Sequence, residues 1–186
     1  CQNIGMQNNY TPQLVSGRTI TEPAKTIQVL ERFDVAVFGG GPSGVCAAVT
    51  AARMGRKVIL VERHGFLGGM ATAAIVNIWH TMLGMDKQTP IIGGLVNEII
   101  MALKDQGAAY NQNQDGQSGQ WVIDPHVTKL LFDNIVVQSG AKLLLHAWIA
   151  DVIREEDRIT AVLVETKSGR YGIEADQFID CTGDAD

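Results

Sequence analysis

Cysteine is scarce in this chain. Cys1, Cys46 and Cys181 are the only three in 186 residues, too few and too scattered for a disulfide framework or a zinc site. Among the four histidines, His64, His126 and His146 show no ligand spacing, so no metal is expected. No run of 18 apolar residues occurs, which excludes a conventional membrane-spanning helix. Clusters of lysine and arginine are also missing, and the formal net charge is −5. That balance offers no electrostatic footing for nucleic acid or an anionic membrane surface, and neither partner is expected. With 46% hydrophobic and 19% charged residues, the composition is that of a globular protein of one domain or slightly more.

Glycine is plentiful, 20 in all, and its densest group organises the rest. Residues 34–62 read as strand, glycine turn, helix and second strand. Residues 35–38 (VAVF) are a short, wholly apolar run of the kind found where a strand is buried on both faces. The run leads straight into Gly39, Gly40 and Gly41. Gly39, Gly41 and Gly44 fall at G-x-G-x-x-G spacing: the first permits a sharp turn, the second lets a pyrophosphate approach the main chain, and the third lets a helix lie close to the strand. Pro42 suits the first helical position. A helix starting there aims unpaired N–H groups and its positive dipole end at the turn, so a phosphate is the natural occupant. Ala47, Ala48, Ala51 and Ala52 keep the helix slim, Gly55 ends it, and residues 58–61 (VILV) form a second apolar strand. Glu62 closes that strand 18 residues after Gly44, close to the spacing of the acid that binds ribose hydroxyls. Together these features predict dinucleotide binding. The plainer alternatives are an unliganded α/β turn and a surface acid at a strand end.

Gly68 and Gly69 come too soon after a strand to begin an ordinary crossover helix, and predict a second close approach of backbone to the same ligand. The next clear strand waits until residues 142–146. Two helical patterns intervene: Leu95, Val96, Ile99, Ile100 and Leu103 up to Gly107, then a helix opened by Asp124 and Pro125 with Val127, Leu130, Leu131 and Ile135 inward, ending at Gly140. Residues 111–120 (NQNQDGQSGQ) are a low-complexity polar loop, flexible by default and alternatively a lid. Residues 146–183 alternate short β patterns with turns at 155–157 and 167–169, which predicts an antiparallel meander returning to a buried strand over 177–181. At the N-terminus, Cys1 and the polar residues behind it are open to two readings. One is a processed lipoprotein cysteine, with a periplasmic or envelope location; the other is an arbitrary boundary of a protein that is then cytoplasmic. Residues 26–32 read as an extended lead-in to the first strand. No residue demands a catalytic role. His80 is a candidate acid or base, set against a packed or surface histidine; Met70 reads equally well as packing; and Cys181 lacks the second cysteine of a redox pair.

Four blocks, DVAVFGGGPSG, VILVERHGFLGGMATA, KLLLHAWIADVI and FIDCTGDAD, stand in the order found in the FAD-dependent oxidoreductases of the glutathione-reductase-like flavin fold. The chain resembles a bacterial branch of that family over about residues 33–186. The resemblance implies an α/β, Rossmann-like FAD-binding domain: a parallel sheet with a β-meander crossover and a helical, cap-like insertion over 75–140, preceded by a tail and lead-in over 1–32. It implies FAD as cofactor. Gly39, Gly41, Pro42, Ser43 and Gly44 would hold the pyrophosphate, and Glu62, with Arg63 beside it, the adenosine ribose. Gly68, Gly69, Met70, Ala71 and Thr72 would run beside the pyrophosphate and flavin, backbone near Ile149 would meet the adenine, and Thr182 and Gly183 would pass close to the cofactor. Such proteins continue past the last block. The resemblance therefore also implies a chain truncated at its C-terminus, completed by the rest of the same polypeptide or by a second chain. The activity it implies is hydride or two-electron transfer on a small organic substrate. Two alternatives stand beside it: an NAD(P)-binding dehydrogenase, opposed by the second glycine loop, the meander and CTGD, and a non-catalytic scaffold that keeps a nucleotide fold.

Overall fold

A computed structural model of the chain describes residues 17–86, 88–112 and 119–183. Cys1 with most of its tail, the middle of the 111–120 loop and the last three residues lie outside the described residues, and with them the lipoprotein and lid readings. In chain order the elements are β1 (Gln28–Phe38), α1 (Pro42–Arg53), β2 (Val58–Val61), a 3₁₀ turn (Gly69–Ala71), β3 (Ile78–Trp79), α2 (Leu95–Asp105), β4 (Ala109–Asn111), β5 (Trp121–Ile123), α3 (Pro125–Gln138), β6 (Lys142–Leu144), β7 (Trp148–Glu155), β8 (Arg158–Thr166) and β9 (Gly169–Asp180).

A six-stranded sheet in the order β6-β2-β1-β9-β8-β7 carries the fold. β6, β2, β1 and β9 run parallel, while β9, β8 and β7 form the antiparallel meander. The Rossmann-like α/β fold expected from the sequence is therefore the fold observed. Register decides what the sheet presents at its edge. Phe38 pairs with Val61 on one side and with Asp180 on the other, and Val61 pairs with Leu144. Four parallel strands thus end level, and the segments after them emerge at a single carboxyl edge, where open α/β sheets bind ligands.

The apolar strands are buried on both faces, which explains their unbroken hydrophobic runs. Val37 and Leu60 pack with Val45 and Val49 of α1 and with Phe132 and Val136 of α3. Ala36, Phe38, Ile59 and Val61 join the opposite cluster, with Val162 and Val164 of β8 and Ile173 of β9. Each fully buried side chain of this size contributes about 1.5–3 kcal/mol.

Three details differ from the sequence reading. In α3 the buried residues are Thr128, Phe132, Ile135 and Val136, whereas Leu130, expected to point inward, is 66% exposed. Leu130 lies two residues from Phe132, about 200° round a helix of 3.6 residues per turn, so both cannot face the sheet. Besides its two helices, the 75–140 segment holds a three-stranded sheet, β3-β5-β4. The end of β9 is not a buried strand either: Gln177 and Asp180 are exposed. The pairing of β8 with β9 reaches only Glu174, so beyond that point β9 is paired with β1 alone.

Candidate functional site

The turn between β1 and α1 is fixed by backbone bonds to β2 and to the residue after β9. The Gly39 N–H donates to the Val61 carbonyl (2.8 Å), and the Cys181 N–H donates to the Phe38 carbonyl (2.7 Å). Gly39 has φ +95°, and a side chain there would meet the Cys181 carbonyl oxygen at 2.3 Å. At Gly44 the first side-chain carbon would lie 1.8 Å from the Gly39 oxygen, so only glycine lets α1 sit this close to the end of β1. Gly41 differs: nothing of the protein lies within 4 Å of where its side chain would be. It is also the N-cap of α1 and supplies no side-chain cap, and no acid stands in the first helical turn, where Pro42 and Ser43 begin the helix. The opening N–H groups of α1 therefore face a space the protein leaves clear.

The second glycine loop packs on the first. The Gly68 N–H donates to the Gly40 carbonyl (2.8 Å), and a side chain at Gly69 would come within 3.0 Å of Gly41 Cα. Gly68 and Gly69 have φ of +115° and +44°. Thr72 is buried and its hydroxyl donates to the Leu67 carbonyl (2.7 Å); Ala71 is buried beside it, and Met70 is 64% exposed. Upstream of this loop, the Asp133 carboxyl of α3 has its Oδ1 buried without a hydrogen-bond partner among the described residues and is pushed above the ordinary range mainly by burial, an effect the nearby Leu67 backbone opposes. Partial burial likewise raises the Cys46 thiol on α1.

Glu62 is 5% exposed and stands at the mouth of the crevice. Its main chain is fixed by two bonds: its N–H donates to the Leu144 carbonyl (2.9 Å), and its carbonyl accepts from Ala147 N–H (3.0 Å). One carboxylate oxygen, Oε2, accepts the Gly40 N–H (2.6 Å). The other, Oε1, accepts the His64 backbone N–H (2.7 Å) and is 2.8 Å from His64 Nδ1. Beside it opens a cleft of about 300 Å³ lined by Gly39, Glu62, Arg63, Trp148, Ile149 and Thr182, among others. The Arg63 guanidinium lies 5.4 Å from the centroid of the Trp148 ring, within cation–π range.

The structure thus gathers the predicted Gly39, Glu62, Arg63, Ile149 and Thr182 around one cleft, while Gly69 packs against Gly41 in the adjoining turn and neither lines the cleft. Gly183, with φ +103°, has no neighbour within 4 Å of its side-chain position. His80 is not among the cleft residues; its ring meets Gln120 at 3.4 Å. Among the described residues no group of three or more His, Cys, Asp or Glu side chains is placed to hold a metal, and no helix is long and apolar enough to cross a membrane. Sequence reasoning missed Gly40, His64 and Trp148. The middle glycine of GGG and the E-x-H spacing at a strand end were the available signals for the first two, because an acid that closes a strand can reach the donors of the residue two further on.

With the geometry in view, three comparisons bear on it. The profile of the family described as FAD dependent oxidoreductase matches residues 34–186. A thiamine thiazole synthase of Methanococcus vannielii is 29% identical over 162 residues, covering 83% of this chain and 57% of that protein. The crystal structure of Thermovibrio ammonificans THI4 superposes with a TM-score of 0.57 at 23% identity, over 82% of this chain and 58% of the other. A geranylgeranyl bacteriochlorophyll reductase-like structure from Thermoplasma acidophilum gives 0.60 at 18% identity, over 82% and 40%. These two structural likenesses speak for the fold alone. The chain spans about half the length of the curated relatives it matches. Those relatives include archaeal proteins.

Proposed function

The chain belongs to the FAD dependent oxidoreductase family, and on that premise we propose that its crevice binds the adenosine diphosphate half of FAD for hydride or two-electron transfer on a small organic substrate. One observation carries this reading: the uncapped start of α1, the open side of Gly41 and the Glu62 carboxylate all face the same carboxyl edge. Backbone N–H groups at a helix start suit a pyrophosphate, and a strand-end acid beside them suits ribose hydroxyls.

In this reading Gly39, Gly41, Pro42, Ser43 and Gly44 hold the pyrophosphate, and Gly68 and Gly69 close its other side. Glu62 takes the ribose, Arg63 and the backbone at Ile149 border the adenine, and Thr182 and Gly183 pass between the two halves of the cofactor. Residues 33–186 form the FAD-binding unit, and 75–140 is the insertion within it. FAD supplies the electron-transfer chemistry when bound; the protein's part is to position it and shield it from water. An absorption spectrum of the purified protein, followed by denaturation and chromatography of the released small molecule, tests the proposal. Released FAD is the expected result. Absence of flavin after reconstitution with FAD would overturn it.

A further inference from the structure

The Glu62 carboxylate is already largely engaged within the protein. A carboxylate offers four lone-pair positions, two on each oxygen. Both positions on Oε1 are filled by His64, through its backbone N–H (2.7 Å) and its ring Nδ1 (2.8 Å). On Oε2 one position is filled by the Gly40 N–H (2.6 Å). One remains. Because an ionised carboxylate only accepts, the ring nitrogen facing it must carry a proton, which assigns the Nδ1–H form to a neutral His64.

The imidazole is positioned by two contacts: it stacks on Phe66 of its own loop with centroids 5.6 Å apart, and the His146 backbone N–H donates to the His64 carbonyl (3.1 Å), fixing the main chain that carries it. Phe66 is in turn capped by the Lys129 ammonium of α3, 3.8 Å from its centroid.

We propose that His64 is a specificity-determining positioning residue that restricts Glu62 to a single ribose hydroxyl. This rests on the reading of Glu62 as the ribose ligand. Without the Nδ1 donor, Oε1 regains an acceptor and the carboxylate can hold both hydroxyls of the diol. With it, the site recognises an adenosine nucleotide through one hydroxyl and tolerates loss of the other.

Calorimetric titration of the FAD-free protein with ADP, 2′-deoxy-ADP and 3′-deoxy-ADP tests this. In the native protein one deoxy analogue is expected to bind within about three-fold of ADP and the other about ten-fold or more weaker, the size of one hydrogen bond to a charged group. In His64→Phe, which keeps an aromatic ring on Phe66 but has no donor, both analogues should fall about ten-fold below ADP. His64→Asn, whose amide can still donate, should restore the native pattern although it lacks the stacked ring; a role in loop packing alone would predict the reverse ranking of these variants. Equal loss for both analogues in the native protein, or a native pattern in His64→Phe, would overturn the assignment of His64. Native binding indifferent to both deletions would instead remove Glu62 from the ribose and the inference with it. Failure of ADP to bind at all would count against the proposed function itself.

Discussion

The two glycine segments that meet at the sheet edge look alike in sequence and are required for different reasons. In the first, Gly39 and Gly44 are glycine because other backbone occupies the volume a side chain would need, whereas Gly41 has empty space on that side. In the second, both Gly68 and Gly69 turn through positive φ, and a side chain at Gly68 would also strike that of the buried Thr72. Packing or backbone conformation thus accounts for each of these glycines except Gly41. A position kept small without an internal reason is where a ligand is to be sought.

Alanine substitutions probe that contrast. The largest effect is expected at Gly44, where the new carbon lands 1.8 Å from the Gly39 oxygen; Gly44→Ala should force α1 off the sheet and lower stability by about 3 kcal/mol or more in urea unfolding. Gly68→Ala should lower it by about 2 kcal/mol, from left-handed strain plus displacement of the buried Thr72. If these two substitutions proved harmless, the claim that packing dictates the glycines would fail. Gly41→Ala should leave stability within about 0.5 kcal/mol, since Gly41 has φ −67° and open space, yet weaken FAD at least about ten-fold by placing a methyl against the pyrophosphate, a loss of about 1.4 kcal/mol. An unfolding curve and a flavin-quenching titration on the same preparation separate the two readouts.

The smallest effect concerns Asp133, a half-buried carboxyl of α3 whose Oδ1 has no hydrogen-bond partner among the described residues. Burial raises its folded pKa, so the folded state holds the proton more tightly than the unfolded one. Its contribution is present below the unfolded pKa and is lost as pH rises through the folded value. Asp133→Asn keeps the shape of the side chain and removes the charge, and should therefore be more stable than the native protein at neutral pH by less than about 1 kcal/mol, partial exposure screening the effect. The advantage should disappear under acid conditions. Denaturation midpoints at several pH values would show the crossover, and an advantage independent of pH would exclude the carboxylate as its source.

Much of this was legible in the chain because the first β-α-β unit is locally consistent. Residues 35–38 and 58–61 are apolar at every position, as two-sided burial requires, and Gly39, Gly41, Gly44 and Glu62 follow at spacings that backbone geometry dictates. Legibility failed where distant partners decide. Leu130 and Phe132 are both apolar, and only the position of the sheet under α3 selects Phe132. Gln177 and Asp180 are exposed because β8 stops pairing at Glu174, which depends on the length of a neighbouring strand. Glu62 could be identified as an acid at a strand end, but its bond to the Gly40 N–H comes from the packing of a glycine turn 22 residues earlier in the chain.

The pairing of β1 has a consequence in time. Its first neighbour, β2, follows within about twenty residues, but its second, β9, reaches Phe38 only through Asp180. As the polypeptide leaves the ribosome, the central strand therefore waits with one edge bare until nearly the whole described chain has emerged. Contacts so far apart in sequence form slowly, and an unpaired apolar edge invites misassembly meanwhile. The Cys181 backbone that shapes the Gly39 turn arrives with that last strand. Competence to bind nucleotide should accordingly appear only once Cys181 has emerged, in one step with closure of the sheet.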